Sequence, residues 1–151
     1  MRKLVEMIRR NVGILSQMVS EILEFRKIQN EKAKLSLNRF DIAADLKAWT
    51  EDFSAVAERK GISVGVKTSE DRSIVIADRE KIAHVFFNLM TNALKYTPAK
   101  GTITVTLAHA GGKCTVSVAD TGKGMSEEDL PAIAELAERF LADFRHQKRP
   151  P

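Results

Sequence analysis

The first 25 residues place apolar side chains at alternating intervals of four and three, and this seven-residue rhythm restricts the segment to a helix with an apolar stripe. One helix cannot bury a stripe two rows wide against itself. The pattern therefore predicts a coiled coil or helical bundle formed by self-association through residues 1–25, or else an amphipathic helix that lies on the domain that follows. The first row comprises Met1, Val5, Ile8, Val12, Leu15, Val19 and Ile22, and the second Leu4, Met7, Ile14, Met18 and Phe25.

The rest of the chain alternates helical periods with short extended runs. Asp41 and Asp78 are of a residue type that caps helix N-termini, Gly61 is of the type that ends a helix, and Gly111-Gly112 predicts a hairpin turn. This order predicts an α+β domain whose helices cover one face of a mixed sheet. We predict helices over 41–61 and 78–96, strands over 62–66, 74–76 (buried), 102–107 and 114–118, and a polar connector over 30–38.

Composition excludes several classes of function. The net charge of +4 comes from 24 basic and 20 acidic residues that are mostly interleaved, and only 6% of residues are aromatic, so we expect no nucleic-acid binding. No apolar run approaches about 18 residues, so we expect no membrane segment. The single cysteine, Cys114, cannot form an internal disulfide, which fits a reducing cytoplasm, and its alternation with valines predicts a small core residue.

The first stretch with chemical potential lies on the helix predicted over 78–96. Asn88, Asn92 and Lys95 fall within about 60° of one another on a helix, so they form a polar stripe. We expect this stripe to border the apolar face, where amides need hydrogen-bond partners. An amide oxygen for a hard cation and an ammonium for a phosphate would explain the three residues together, whereas a solvated helix face is the simpler alternative. The apolar face is predicted to comprise Ile82, Val85, Phe86, Leu89 and Ala93.

The second stretch ends the predicted hairpin and reads Asp120-Thr-Gly122-Lys-Gly124-Met125. A carboxylate at the end of a strand can accept a hydrogen bond from an exocyclic amine such as that of adenine. The glycines that follow allow the backbone to turn sharply or to approach a flat ligand. Taken alone, the pattern is also that of an ordinary turn after a strand.

Together, the order Asn-x-x-x-Asn-x-x-Lys-Tyr-Thr-Pro, hairpin, Asp-Thr-Gly-Lys-Gly-Met resembles the catalytic and ATP-binding domain of sensor histidine kinases, which has the Bergerat fold, a two-layer α/β sandwich. The first helix resembles the second helix of the dimerisation and phosphoacceptor hairpin of those kinases. The resemblance implies a dimerisation helix over 1–30, an incomplete catalytic and ATP-binding domain over 31–131, and a divergent helical and basic tail over 132–151.

The resemblance implies roles for the residues of the first stretch. Asn92 would ligate the Mg²⁺ that bridges the phosphates of ATP, and Asn88 would support it. Lys95 would contact phosphate, and Tyr96 would pack near the ribose or the adenine. Relatives that hydrolyse ATP have a glutamate base at the position of Asn88, and since an amide cannot remove a proton, this residue favours a kinase over an ATPase.

The resemblance also assigns roles to the second stretch. Asp120 would accept a hydrogen bond from the adenine amino group. Gly122 and Gly124 would shape the adenine pocket and the hinge of a lid, and Met125 would line the pocket. No residue of this chain is expected to be directly catalytic, because the protein's part in such phosphoryl transfer is mainly positioning and charge neutralisation.

The implied function is that of a two-component sensor histidine kinase in the cytoplasm: the γ-phosphate of ATP passes to a histidine and then to the receiver domain of a response regulator. The family's phosphoacceptor helix and its second glycine box have no counterpart in these 151 residues. We therefore expect that this chain alone does not phosphorylate itself. The alternative interpretation is a truncated, non-catalytic dimerisation module that no longer uses ATP.

Overall fold

The computed structural model describes residues 2–30, 35–132 and 134–135. The chain divides into two compact units, the first of which contains residues 1–34 and the second residues 35–143. Most of the predicted tail over 132–151 lies outside the described residues.

The first unit contains a single uninterrupted helix, α1 (Arg2–Asn30). Its 29 residues span about 43 Å at about 1.5 Å per residue. The prediction of a helix over the first segment is confirmed. The described apolar side chains of both rows, from Leu4 to Ile22, are each 53–61% exposed, whereas the side chains of Met1, Ile14 and Phe25 lie outside the described residues. In the part of the chain that the structure describes, no helix is long and apolar enough to span a bilayer.

In the described residues of the second unit, three helices are combined with five strands, as expected for an α+β domain. Strands β1 and β3 form an antiparallel pair, and a separate sheet has the order β2-β4-β5. In that sheet β2 runs parallel to β4 and β5 runs antiparallel to it, so the predicted mixed sheet is confirmed. The elements are β1 (Asn38–Asp41), α2 (Ile42–Glu51), α3 (Ser54–Lys60), β2 (Ser63–Thr68), β3 (Ile74–Ala77), α4 (Arg79–Tyr96), β4 (Thr102–Ala110) and β5 (Lys113–Asp120).

Two aspartates begin the longer helices of this unit, as predicted. Asp41 caps α2 and Asp78 caps α4, each through a carboxylate that accepts hydrogen bonds from the first turn. Each carboxylate also accepts from a distant backbone N–H: Asp41 from Ser73 at 2.9 Å and Asp78 from Ser36 at 3.0 Å. These hydrogen bonds hold the pKa of Asp41 and of Asp78 below the ordinary value, because they favour the charged form. The caps thus join helix starts to neighbouring segments.

The single helix predicted over 41–61 is wrong, because the structure divides it into α2 and α3. The Thr50 hydroxyl donates to the Leu46 carbonyl at 2.6 Å, a type of bond that bends helices, and the Phe53 N–H donates to the Thr50 carbonyl at 3.1 Å. The bend places the Phe53 ring 5.6 Å from the ring of Phe87. Gly61 ends α3 with a φ of 69°, so the predicted end of the helical region is confirmed.

Three further expectations about strands are corrected. Strand β1 was not predicted, because its four residues gain strand structure only by pairing with β3, some 36 residues later. The short strand β3 is not buried as predicted: Ile74 and Ile76 are exposed, since a two-stranded sheet turns one face to solvent. Cys114 is exposed and not a core residue, because it lies on the edge strand β5 near the hairpin turn.

The core lies between the helices and the inward face of β4. Residues Ile103, Val105 and Leu107 alternate along β4 and are almost fully buried. From α4, Met90 is fully buried against them, and α2 contributes Leu46. The core includes buried residues Ile42, Ala43, Leu46, Trp49, Ala57, Ile62, Phe86, Met90, Ala93, Leu94, Ile103, Val105 and Leu107.

Candidate functional site

The C-terminal half of α4 carries the polar stripe that the sequence predicts. The side chains of Asn88, Asn92 and Lys95 are all exposed on this helix. At about 1.5 Å per residue, Asn92 lies about 6 Å along the axis from Tyr96, and Asn88 about 12 Å. The amides are therefore accessible to a ligand, and the expectation that burial forces them to find partners is wrong.

The prediction of which side chains form the apolar face of α4 is also partly wrong. Val85 and Leu89 are exposed, although we expected them in the core. Phe86 and Ala93 are buried, as predicted. Met90 and Leu94, which were not predicted, are buried with them. The exposed stripe of α4 thus alternates apolar side chains with the two amides, and such a mixed surface suits a ligand with both apolar and charged parts.

The second predicted stretch follows directly from strand β5. Asp120 is the last residue of β5 and pairs with Ile103 at the start of β4. Its Oδ1 accepts a hydrogen bond from the Gly122 N–H at 2.8 Å, which makes a tight turn. Within the described residues, its other oxygen, Oδ2, accepts no hydrogen bond, and Asp120 is exposed. One oxygen of the carboxylate is thus fixed by the turn, and the other can accept a hydrogen bond from a ligand.

Gly122 brings this turn against the end of α4. A Cβ at this position would lie 2.6 Å from Asp120 Oδ1 and 2.8 Å from the carbonyl oxygen of Tyr96. No side chain fits between those two atoms, so the glycine allows the turn and the helix to approach closely. The structure therefore brings Tyr96, Asp120 and Gly122 together, although they come from two separate stretches of sequence.

Two lysines converge on the same aromatic ring. Lys95 Nζ lies 5.2 Å from the centroid of the Tyr96 ring, and Lys123 Nζ lies 5.9 Å from it. Both distances are within the range of a cation–π interaction. Two like charges at one half-exposed ring favour an anion nearby. Sequence reasoning assigned no role to Lys123, although its place between the two glycines of the turn was a usable signal.

The residue after Tyr96 is buried in the same region. Thr97 ends α4, and its side chain is 5% exposed. A Cβ on Gly101 would lie 2.3 Å from the Thr97 methyl group and 3.0 Å from the Thr121 hydroxyl, so Gly101 allows these threonines to approach each other. Neither Thr97 nor Gly101 was predicted as a site residue, because their proximity to Thr121 depends on the folded hairpin.

Comparisons with known proteins identify the family of this domain. The family model of the histidine kinase-, DNA gyrase B- and HSP90-like ATPases matches residues 77–149. The chain is 31% identical over 134 residues to the histidine protein kinase DivJ of Caulobacter vibrioides, an alignment that covers 89% of this chain and 22% of DivJ. It is also 31% identical over 142 residues to the adaptive-response sensory kinase SasA of Gloeothece citriformis, covering 93% of this chain and 36% of that protein.

Solved structures of histidine kinases share the fold. Full-length ShkA in complex with AMPPNP superposes with a TM-score of 0.73 at 29% identity, over 85% of this chain and 28% of ShkA. The histidine kinase ThkA in complex with the response regulator TrrA gives a TM-score of 0.70 at 28% identity, over 81% of this chain and 35% of that one. The chain carries a sensor histidine kinase ATPase domain. It spans well under half the length of DivJ and SasA.

Within this ATPase domain, the predicted site residues fall into two groups. Tyr96, Asp120 and Gly122 meet at the end of α4, and Lys95 joins them through the Tyr96 ring. The remaining predictions rest on position alone. Asn88 and Asn92 lie further back along the helix, whereas Gly124 adopts a positive φ of 69° and Met125 is 60% exposed.

The ATPase domain has no ready-made metal site of its own among the residues that the structure describes. Those residues include no group of three or more histidine, cysteine, aspartate or glutamate side chains that could hold an ion. Mg²⁺ is usually held by only one or two protein ligands together with the phosphates of a substrate. A single exposed amide such as that of Asn92 fits that arrangement.

Proposed function

We propose that this domain binds ATP together with Mg²⁺ and that it is the nucleotide-binding part of a two-component sensor histidine kinase. The observation that carries the proposal is the close approach of Gly122 to the Tyr96 carbonyl, which joins the Asp120 turn to the end of α4, where two lysines lie near the Tyr96 ring. The AMPPNP complex of ShkA, a neighbour in structure, supports the same assignment.

The base of the nucleotide would bind at the end of β5. The Oδ2 atom of Asp120, which accepts no hydrogen bond from the described residues, can accept one from the amino group of adenine, and an oxygen at the corresponding position of guanine would be repelled. The half-exposed ring of Tyr96 offers a surface against which the ribose or the base can pack. Gly122 keeps the backbone at the end of α4 close to the carboxylate, because any larger residue would separate the turn from the helix.

The phosphates would extend along α4 towards Asn92. The amide oxygen of Asn92 is a suitable ligand for Mg²⁺. A bound Mg²⁺ would neutralise the charge of the phosphates. Lys95 and Lys123 add positive charge near the Tyr96 ring. Asn88 would support Asn92 from one turn earlier, Gly124 would give the loop after Gly122 its turn, and Met125 would cover the base.

The chemistry of the position one turn before Asn92 favours a kinase. An enzyme that hydrolyses ATP needs a base that removes a proton from water, and the amide of Asn88 cannot do this. By family, the phosphoryl group of ATP would pass to a histidine and then to the receiver domain of a response regulator. The complex of ThkA with the response regulator TrrA supports this partner class.

The first helix would serve as a dimerisation helix. The described apolar side chains of α1 are more than half exposed in both rows, and a stripe of this size is typical of an interface with another helix. We propose self-association through residues 1–25 of two copies, in the cytoplasmic part of a sensor. The same stripe is also what favours the second candidate, an interaction module that associates through α1 without using ATP.

Titration of a fluorescent ATP analogue against the full 151-residue chain, with and without Mg²⁺, tests the proposed site. Asp120→Asn should weaken binding by about tenfold or more, since a hydrogen bond to a charged group is lost. Asn92→Ala should weaken binding chiefly when Mg²⁺ is present. Asp71→Asn and Asn11→Ala are matched controls, because they make the same chemical changes at exposed positions outside the two candidate stretches. Equal affinities in all five proteins would contradict the assignment and leave the interaction module as the better reading.

A further inference from the structure

The hydroxyl group of Thr97 is an exception to the usual pairing of buried polar groups. Within the part of the chain that the structure describes, Thr97 Oγ1 is the single buried side-chain nitrogen or oxygen without a hydrogen-bond partner. Thr50 provides a direct contrast, because it is similarly buried near the end of a helix and its hydroxyl donates to the Leu46 carbonyl at 2.6 Å. Buried hydroxyls are rarely left unpaired, so an orphan of this kind needs an explanation.

The position of Thr97 connects it to the site described above. It follows Tyr96, whose carbonyl oxygen lies next to Gly122, and its methyl group lies on the side of Gly101. The hydroxyl of Thr121, the residue after Asp120, also approaches Gly101. Thr97 therefore lies where the end of α4, the start of β4 and the Asp120 turn come together.

Several polar groups near this junction already have hydrogen-bond partners. The Gly122 N–H donates to Asp120 Oδ1, and the Thr121 N–H donates to the Thr102 carbonyl at 3.1 Å. The Thr121 hydroxyl accepts from the Thr102 N–H at 2.9 Å. The hydroxyl of Thr97 has both a proton and lone pairs uncommitted.

The edge of adenine presents an amino donor beside a ring nitrogen that only accepts. A carboxylate can satisfy the amino group but has no proton for the ring nitrogen. We propose that the Thr97 hydroxyl supplies that proton, by donating to a ring nitrogen of the bound adenine directly or through one shared water. Thr97 would then determine base specificity together with Asp120. This inference rests on the proposed function, because it assumes that a nucleotide binds at the Asp120 turn.

Calorimetric titration of nucleotides in the presence of Mg²⁺ tests the inference. The proposed hydrogen bond is removed either by changing Thr97 or by changing the ring nitrogen of the adenine. Thr97→Val has the shape of threonine without the hydroxyl, Thr97→Ser keeps the hydroxyl, and Thr97→Ala is a second hydroxyl-free variant should valine perturb folding. Each is titrated with ATP, 1-deaza-ATP and 7-deaza-ATP, the last two of which lack one ring nitrogen beside the amino group. The fluorescence of Trp49, the chain's one tryptophan, checks that every variant is folded.

We expect Thr97→Val and Thr97→Ala to bind ATP about five- to tenfold more weakly than the natural chain, and Thr97→Ser to bind within about twofold of it. We expect one deaza analogue to bind equally to the natural chain and to the hydroxyl-free variants, because its hydrogen-bond acceptor is already absent. Unchanged ATP affinity in those variants, or a uniform loss for all three nucleotides, would overturn the inference while leaving the proposed function intact. Failure of the natural chain to bind any of the three nucleotides would overturn both.

Discussion

Helices α1 and α4 are both amphipathic, yet only one of them builds a core. Helix α4 buries Phe86, Met90, Ala93 and Leu94 against its own domain. Helix α1 is 29 residues long, and its described apolar side chains are more than half exposed. Periodicity predicted both helices correctly, so it reports the local structure. Whether an apolar stripe is buried within the chain depends on the surface it packs against, and the sequence periodicity does not specify that surface.

The largest difference between the two helices should appear in a matched pair of methionine truncations. Met90→Ala should lower the free energy of unfolding of the domain by about 2–5 kcal/mol, since it opens a cavity in the core. Met18→Ala makes the same chemical change at an exposed position on α1 and should change the free energy of unfolding of the domain by no more than about 0.5 kcal/mol. Urea denaturation followed by Trp49 fluorescence measures the domain directly, because Trp49 lies in its core. Equal losses in the two variants would mean that the stripe on α1 is as much a part of this core as that on α4.

A smaller effect is expected when charges are placed in the stripe of α1. Val12→Asp combined with Val19→Asp should weaken self-association by at least about tenfold, because charged groups would be buried in an apolar interface. Gly13→Asp combined with Ser20→Asp adds the same charge at the same spacing outside the first apolar row and should leave association unchanged. Sedimentation over a wide range of concentration distinguishes them. A natural chain that is monomeric throughout would contradict self-association.

The smallest expected effect concerns the helix-capping residues Asp41 and Asp78, which both lie in the second unit. Because their pKa values are lowered in the folded state, the unfolded chain binds protons first as the pH falls. Their contribution to stability is therefore complete above the ordinary value of 3.8 and is lost as the pH falls through the lower folded-state values. Asn caps a helix without titrating, so Asp41→Asn with Asp78→Asn should flatten the acid limb of stability. Unfolding measured from pH 7 down to about 3 checks this, and an unchanged acid limb would contradict the role of the caps.

Local signals in the sequence predicted much of the domain. The start of α4 at Asp78, the end of α3 at Gly61 and the hairpin turn at Gly111-Gly112 each depend on residues close in sequence. Two candidate site residues identified from the sequence, Tyr96 and Asp120, are brought together in the structure through Gly122, whereas their roles in nucleotide binding stay predictions.

The features that sequence reasoning missed depend on contacts between distant residues. Strand β1 exists by pairing with β3, and the bend after α2 places Phe53 against Phe87. The exposure of Val85 and Leu89 follows from which side of α4 meets the sheet, a choice that Met90 and Leu94 decide. The proximity of Thr97 to Thr121 likewise requires the folded hairpin, so no local pattern could reveal it.

The central claim is that nucleotide binding belongs to the end of α4 and the Asp120 turn, and not to α1. Hydrogen exchange of the full chain with and without Mg²⁺ and AMPPNP tests it most directly, because backbone protection is read segment by segment. The account predicts increased protection over residues 92–97 and 120–125, with residues 2–30 unchanged. No change over 92–97 and 120–125 at a saturating nucleotide concentration, or protection confined to 2–30, would contradict it.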